Sequence, residues 1–283
     1  MFQKTRTPPF SGIPFYHSGG NSTKTEKLQN MMIKQIFTGL LRSAICMLLL
    51  LIAVAARSQA QFITAGKIEF EKKINIHKEI EDDHWLDNVK DKIPKFRTSL
   101  HNLYFKDGKT LFEKGTDVYE KIPFMSDDRS VDDIIYSDLT QGIFSKKQSV
   151  FDETFLINDS IRQVKWQMTN DLRDIAGFEC HKAVGKILDS VYIIAFYTDQ
   201  IPVPGGPLSY TNLPGMILGL AIPRNNLTIF ATKVELTEPK PEKLVPPTGK
   251  MKKTDYKGLV ITLQKALSDW GSYGRRYILS SLL

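Results

Sequence analysis

Residues 201–220, IPVPGGPLSYTNLPGMILGL, place four Pro and four Gly inside a strongly apolar run. Proline has no amide donor and glycine weakens a strand interior, so this stretch cannot continue a regular ladder. Yet Leu213, Met216, Ile217, Leu218 and Leu220 are too apolar to lie in solvent as an ordinary linker. The segment is therefore expected to be an ordered pair of turns, folded back over a core that other parts of the chain supply.

Those other parts read as strands. Ile68, Phe70, Ile74 and Ile76 alternate with charged or polar residues, the period of a half-buried strand, and Lys72 is the exception. Tyr104 to Leu111 centres on Asp107-Gly108, a hairpin signal because Gly accepts positive φ. Further strands are expected at 134–139, 142–150, 154–157, 164–168, 174–187, 190–197 and 227–236. No βαβ alternation and no repeat occurs, so the fold class is mainly β (α+β): a single twisted antiparallel sheet with a C-terminal helix and a Pro/Gly-rich apolar loop. Residues 238–247 (EPKPEKLVPP) form a Pro-rich linker. Beyond it Leu259, Leu263, Ala266, Leu267 and Trp270 recur at helical spacing, with Gly271 as a C-cap, so this stripe should dock on the sheet. Arg275 and Arg276 read as a solvated tail.

Three blocks carry a family resemblance. These are Ile175-Ala176-Gly177-Phe178-Glu179-Cys180-His181-Lys182-Ala183, then Phe196 to Pro202 with Gly206-Pro207, then Asn212-Leu213-Pro214-Gly215-Met216-Ile217. Together they resemble the GLPGLI family of Bacteroidetes envelope proteins. The resemblance implies an exported protein and singles out Pro202, Gly206, Pro207, Asn212, Leu213, Pro214, Gly215, Met216 and Ile217 as a structural or binding loop. It also marks Gly177, Cys180 and Ala183 as family-like strand positions. The family carries no established activity. Asn212 stands where the family motif has Gly, and Asn tolerates a left-handed backbone better than most residues. Met216 for Leu conserves volume. Both exchanges fit a structural role better than a catalytic one.

The N-terminus has the pattern of a secretory signal. Ile45 to Ala56 is an apolar run behind Lys34 and Arg42, followed by Ser58-Gln59-Ala60, which places cleavage between Ala60 and Gln61. The run is shorter than the roughly 20 residues a transmembrane helix needs. The expected organisation is a non-native or unstructured N-terminal extension (1–30), a signal peptide (31–60), an antiparallel β domain (61–237), and a Pro-rich linker with an amphipathic helix (238–283). Export to the periplasm, the outer membrane or the medium follows, with no transmembrane span in the mature chain. Residues 1–60 hold seven of the 38 Lys and Arg and one of the 31 acidic residues. What remains is 31 basic and 30 acidic, so the net charge of +7 falls to +1 and no nucleic-acid partner is implied. Cys180 is then the sole mature cysteine, read as a small buried apolar residue and not as half of a disulfide.

Chemistry-bearing patterns are sparse. His77, His84, His101 and His181 lack zinc-motif spacing, so no metal and no cofactor is expected. The acidic run Glu81 to Asp87 lacks the Gly and terminal Glu of a calcium loop. Paired acids around Arg129 resemble a solvated loop, there is no GxSxG, and no catalytic residue is assigned. The function read from sequence is an exported, non-catalytic binding or assembly module for an envelope protein, peptide or lipid. An acyl-chain carrier is its sharpest form, requiring an open apolar cavity of several hundred Å³. The alternative is a periplasmic hydrolase, in which the Glu81 to Asp87 loop converges with His181 or Asp199. Oligomeric state is left open.

Overall fold

The computed structural model describes residues 22–56, 62–79, 90, 92–116, 129–188 and 190–283. The proposed cleavage site at Ala60 and Gln61 and the acidic run Glu81 to Asp87 lie outside the described residues. The chain divides into two compact units, Met1–Gln61 and Phe62–Leu283. In the first, helix α1 spans Ser22–Ala56. Its segment Glu26–Leu48 is long and apolar enough to cross a membrane by length and composition, a property that signal sequences near an N-terminus share.

The second unit is mostly β. Six strands follow one another as an antiparallel meander: β1 (Gly66–Asn75), β2 (Phe96–Lys106), β3 (Lys109–Lys114), β4 (Ile134–Asp138), β5 (Ile143–Val150) and β6 (Glu153–Ser160). Five more form a second meander: β7 (Lys165–Ile175), β8 (Phe178–Ile187), β9 (Val191–Thr198), β10 (Met216–Ile222) and β11 (Leu227–Glu235). Antiparallel pairing of β1 with β11 joins the two. A short strand β12 (Lys252–Thr254) adds in parallel to β6, so the sheet is mixed, large and unclosed, in the order β12-β6-β5-β4-β3-β2-β1-β11-β10-β9-β8-β7.

Its curvature follows from one short connection. Laid flat, β6 and β7 would stand ten strand spacings apart, about 48 Å. Only Ile161 to Val164 link them, and extended chain of that length spans about 18 Å. The sheet must therefore curl until its two margins approach, and it encloses a concave side. Ile68, Phe70, Leu103, Phe105, Phe112, Ile135 and Phe144 line that side and are buried, as are Ile161 and Val164 of the link itself.

Helix α3 (Tyr256–Ala266) and helix α4 (Gly271–Ser281) pack at the end of the chain. The Asp255 carboxylate caps α3 by accepting from the amide of Gly258. A 4-residue helix α2 (Ile76–Glu79) follows β1. On the convex side the linker is not free: Leu244 buries against Leu111 and Tyr136, while Lys243 pairs with Glu113 and Glu238 with Lys106.

Several expectations are corrected. The run 174–187 is not one strand, because Ala176 and Gly177 take positive φ and turn the chain between β7 and β8. Of the helical stripe only Leu259, Leu263 and Leu267 are buried, whereas Ala266 and Trp270 face outward. Gly271, with φ of 51°, sits at the junction of two helices, and Arg275 and Arg276 belong to α4, not to a tail.

Candidate functional site

The signature segment is not a pair of turns throughout: Met216 to Leu220 belong to β10, a strand of the sheet itself, and only residues 201–215 form the loop, which packs into the concave side. Ile201, Leu213, Met216, Ile217 and Leu218 are all at or near zero exposure, and Gly205, Gly206, Pro207 and Gly215 are buried beside them. Two tight turns shape the entry, with the amide of Val203 donating to the carbonyl of Ile201 and that of Gly205 to Val203. Two further amides tie the loop to itself: Met216 donates to Ile201 and Ile217 to Gly205, both at 2.9 Å. A Cβ on Gly215 would lie 2.0 Å from the Thr198 carbonyl oxygen, so only glycine lets this backbone reach β9. Asn212 is left-handed, with φ of 69°, the backbone reason expected for Asn at that position. Pro202, Asn212 and Pro214 are exposed.

The other marked positions support this packing. Register breaks between Met168 and Leu172, and beyond the break Arg173 lies over the rings of Phe196 and Phe230, the latter at 4.5 Å. Gly177 makes the turn, and Cys180 and Ala183 are fully buried in the core. Burial pushes the Cys180 thiol up to about 12, helped by the nearby Asp174 and Glu179 carboxylates. A thiol held neutral in this way is not a nucleophile at ordinary pH. His181 stacks obliquely on Tyr197 at 5.6 Å, and Asp199 lies in an exposed turn.

At the far end of the concave side the lining becomes polar. Lys72, the exception in the alternation of β1, points inward and donates to the Ser130 hydroxyl at 2.6 Å. The 3-10 turn Arg129–Asp132 closes over this end, and the next residue, Asp133, reaches the buried Lys146 ammonium at 3.3 Å. Ser99 and His101, on one face of β2, approach to 3.1 Å, and His101 stacks on Phe112 with ring centroids 4.9 Å apart. A hydroxyl within hydrogen-bond reach of an imidazole is a nucleophile and base arrangement. Here Ser99 and His101 are buried, at 4% and 2% exposure. Sequence reasoning missed this cluster because polar residues at inward positions look like loop. The one visible signal was Lys72 in a strand of otherwise apolar inward residues. Among the described residues no group of three His, Cys, Asp or Glu could hold a metal ion.

One open cleft borders the signature loop. It has a volume of about 350 Å³ and is lined by Arg162, Gln163, Lys186, Ile187 and Leu188. Asn212 forms its rim by donating to the Gln163 side-chain oxygen at 2.5 Å. Arg162 is held by the Leu282 carbonyl at 2.9 Å and lies over the Tyr256 ring. Trp166 anchors the loop from the concave side, its indole donating to the Thr211 carbonyl at 2.8 Å. Beneath them burial raises the Tyr210 hydroxyl well above its ordinary range, against the pull of Arg162.

Residues 120–258, which include both the cluster's closing turn and the signature loop, match a family model described as "N-glycanase peptide, N-terminal domain". No curated protein matches the chain. Two structures of PNGF-II, in the C2 and P21 space groups, are each 16% identical, with TM-scores of 0.44 and 0.43. They cover 68% and 69% of this chain but 31% and 33% of their own, so the chain spans about a third of their length. An uncharacterized conserved protein from Thermus thermophilus is 8% identical, with a TM-score of 0.37, covering 72% of this chain and 98% of its own. The likeness to the GLPGLI family rests on the quoted motif blocks alone.

Proposed function

We propose that this is an exported, non-catalytic module that recognises a peptide-like partner at the cell envelope. The observation that carries the reading is that, among the described residues, the loop 201–215 packs into the concave side, while a cleft of mixed polar and apolar lining stays open beside it. An acyl-chain carrier needs the opposite arrangement, an unfilled apolar cavity. Arg162 and Lys186 suit carboxylate or carbonyl oxygens, and Ile187 and Leu188 suit the apolar part of a peptide. The N-terminal apolar helix supports export, and the GLPGLI-like motif supports an envelope location. The matching family model, described by an N-glycanase, makes a glycosylated peptide the first probe.

The hydrolase alternative turns on the Glu81 to Asp87 loop, which lies outside the described residues. His181 packs on Tyr197, Asp199 lies in an exposed turn, and the Ser99–His101 pair is buried. Calorimetric titration of the 62–283 unit with an N-glycosylated peptide and its unglycosylated form, with mass spectrometry of the mixture, tests both readings. Saturable binding without cleavage, weakened at least about tenfold by Lys186→Glu, is expected. Glycan or peptide cleavage would establish the enzyme reading instead.

A further inference from the structure

The two C-terminal helices carry a charge excess that the rest of the sheet-bearing unit does not share. Residues 250–283 hold five Lys, two Arg and two Asp, a balance of +5. Residues 61–249 hold 24 basic and 28 acidic residues, so the near-neutral whole conceals one basic end. On α3 the outward row Lys257, Ile261 and Lys265 is exposed, with the isoleucine bare between two cations. Arg275 and Arg276 are exposed on α4, the latter reaching the Glu79 carbonyl at 3.5 Å.

Aromatic rings stand beside these cations. Trp270 and Tyr273 are 47% and 51% exposed, with ring centroids 5.7 Å apart, and Phe151 of the β5–β6 turn meets Trp270 at 5.7 Å and Tyr277 at 5.2 Å. Local geometry holds the array outward. The turn at Gly271 starts a new helix where the α3 stripe would otherwise have buried Trp270, and Phe151 adopts φ of 52°, a conformation that a bulky side chain rarely takes. Acids are present at Asp152, Glu153 and Asp269, but Lys252 pairs with Glu153 at 2.9 Å and the basic excess persists.

We infer that the α3–α4 face docks onto an anionic lipid bilayer surface. Trp and Tyr settle at the headgroup level because one end of each ring system is apolar and the other polar, and Lys and Arg gain from negatively charged headgroups at the same depth. A deformable interface accepts rings, an isoleucine and cations at once. The cleft borders this end of the fold through Arg162, which reaches Leu282 and Tyr256, but its Lys186 lies on β8 and on neither helix, so the two surfaces can be altered separately.

Flotation of the 62–283 unit with vesicles of phosphatidylcholine, alone or mixed with phosphatidylglycerol, tests it. The unit should bind the mixed vesicles at least about tenfold better than the neutral ones, with a blue-shifted indole emission, and release them on adding salt. Trp270→Ala with Tyr273→Ala should abolish the blue shift and weaken binding. Lys257→Glu with Lys265→Glu and Arg276→Glu should remove the preference for anionic lipid. Both variants alter exposed side chains, so their cooperative unfolding should match the parent. Lys186→Glu should bind vesicles as the parent does, which separates failure here from failure of the cleft. Equal partitioning into both vesicles, no binding to either, or undiminished binding by the charge-reversed variant would overturn the inference. So would a self-association that Trp270→Ala abolishes, since a second copy would then occupy the face.

Discussion

Gly215 and Asn212 show how one motif places two different demands on single positions. At Gly215 the demand is space. Gly215→Ala would drive a methyl into the Thr198 carbonyl, and urea denaturation should show a loss of about 3 kcal/mol or more, or no folded protein. At Asn212 the demand is backbone hand. Asn212→Gly should change stability by no more than about 0.5 kcal/mol, whereas Asn212→Val should cost about 1–2 kcal/mol. Cys180 adds a pH-dependent term. Its folded value, raised to about 12 from 9.0, means that burial stabilises the protein fully below the unfolded thiol's range and that this contribution is lost as pH rises from about 9 toward 12. Cys180→Ala should therefore flatten the alkaline limb of the stability profile relative to the parent. In the native 62–283 unit at pH 8, a thiol reagent should leave Cys180 unmodified until denaturant is added; rapid modification of native protein would show an accessible thiol.

Elements differ in how far the sequence announced them. Strand β1 was legible because apolar residues alternate with polar ones, and β4 to β6 were expected near their places, whereas β2 before Tyr104 was not, because Ser99 and His101 are polar at inward positions; the Asp107-Gly108 turn takes positive φ. Strand β12 was not legible, since three residues with Lys252 and Lys253 exposed carry no burial pattern. The break inside 174–187 was hidden because Ala176 is an ordinary strand residue that here adopts a left-handed turn. Polar inward positions hid the second end of the concave side, where the turn Arg129–Asp132 is fixed by buried charges. Asp133→Asn leaves Lys146 buried without its counter-ion and should cost about 3–5 kcal/mol, measurable by chemical denaturation. For α3, Leu263→Ala removes a fully buried anchor and should cost about 2–5 kcal/mol, whereas Ile261→Ala on the opposite, exposed row should be nearly neutral. Equal effects at the two positions would mean that the helix docks through another face.

Within the sheet-bearing unit, a twelve-stranded sheet is bent by a four-residue link around a hollow, and the loop 201–215 packs into it just before the chain joins the sheet as β10. That arrangement was only half visible beforehand: the residue types foretold a loop folded over a core, while the depth of its burial depends on the long-range β1–β11 pairing, which no local pattern encodes. The proposed function separates the packed loop 201–215, as scaffold, from the cleft beside it, as surface. Native-state hydrogen exchange of the Met216 and Ile217 amides tests it most directly, because their partners are the carbonyls of Ile201 and Gly205 at the two ends of the entry turns. As parts of the core they should exchange only through global unfolding, at the rate of the slowest amides in β1 and β11. Exchange within minutes, unaffected by changes in global stability, would identify the segment as a lid over a fillable cavity and contradict the account.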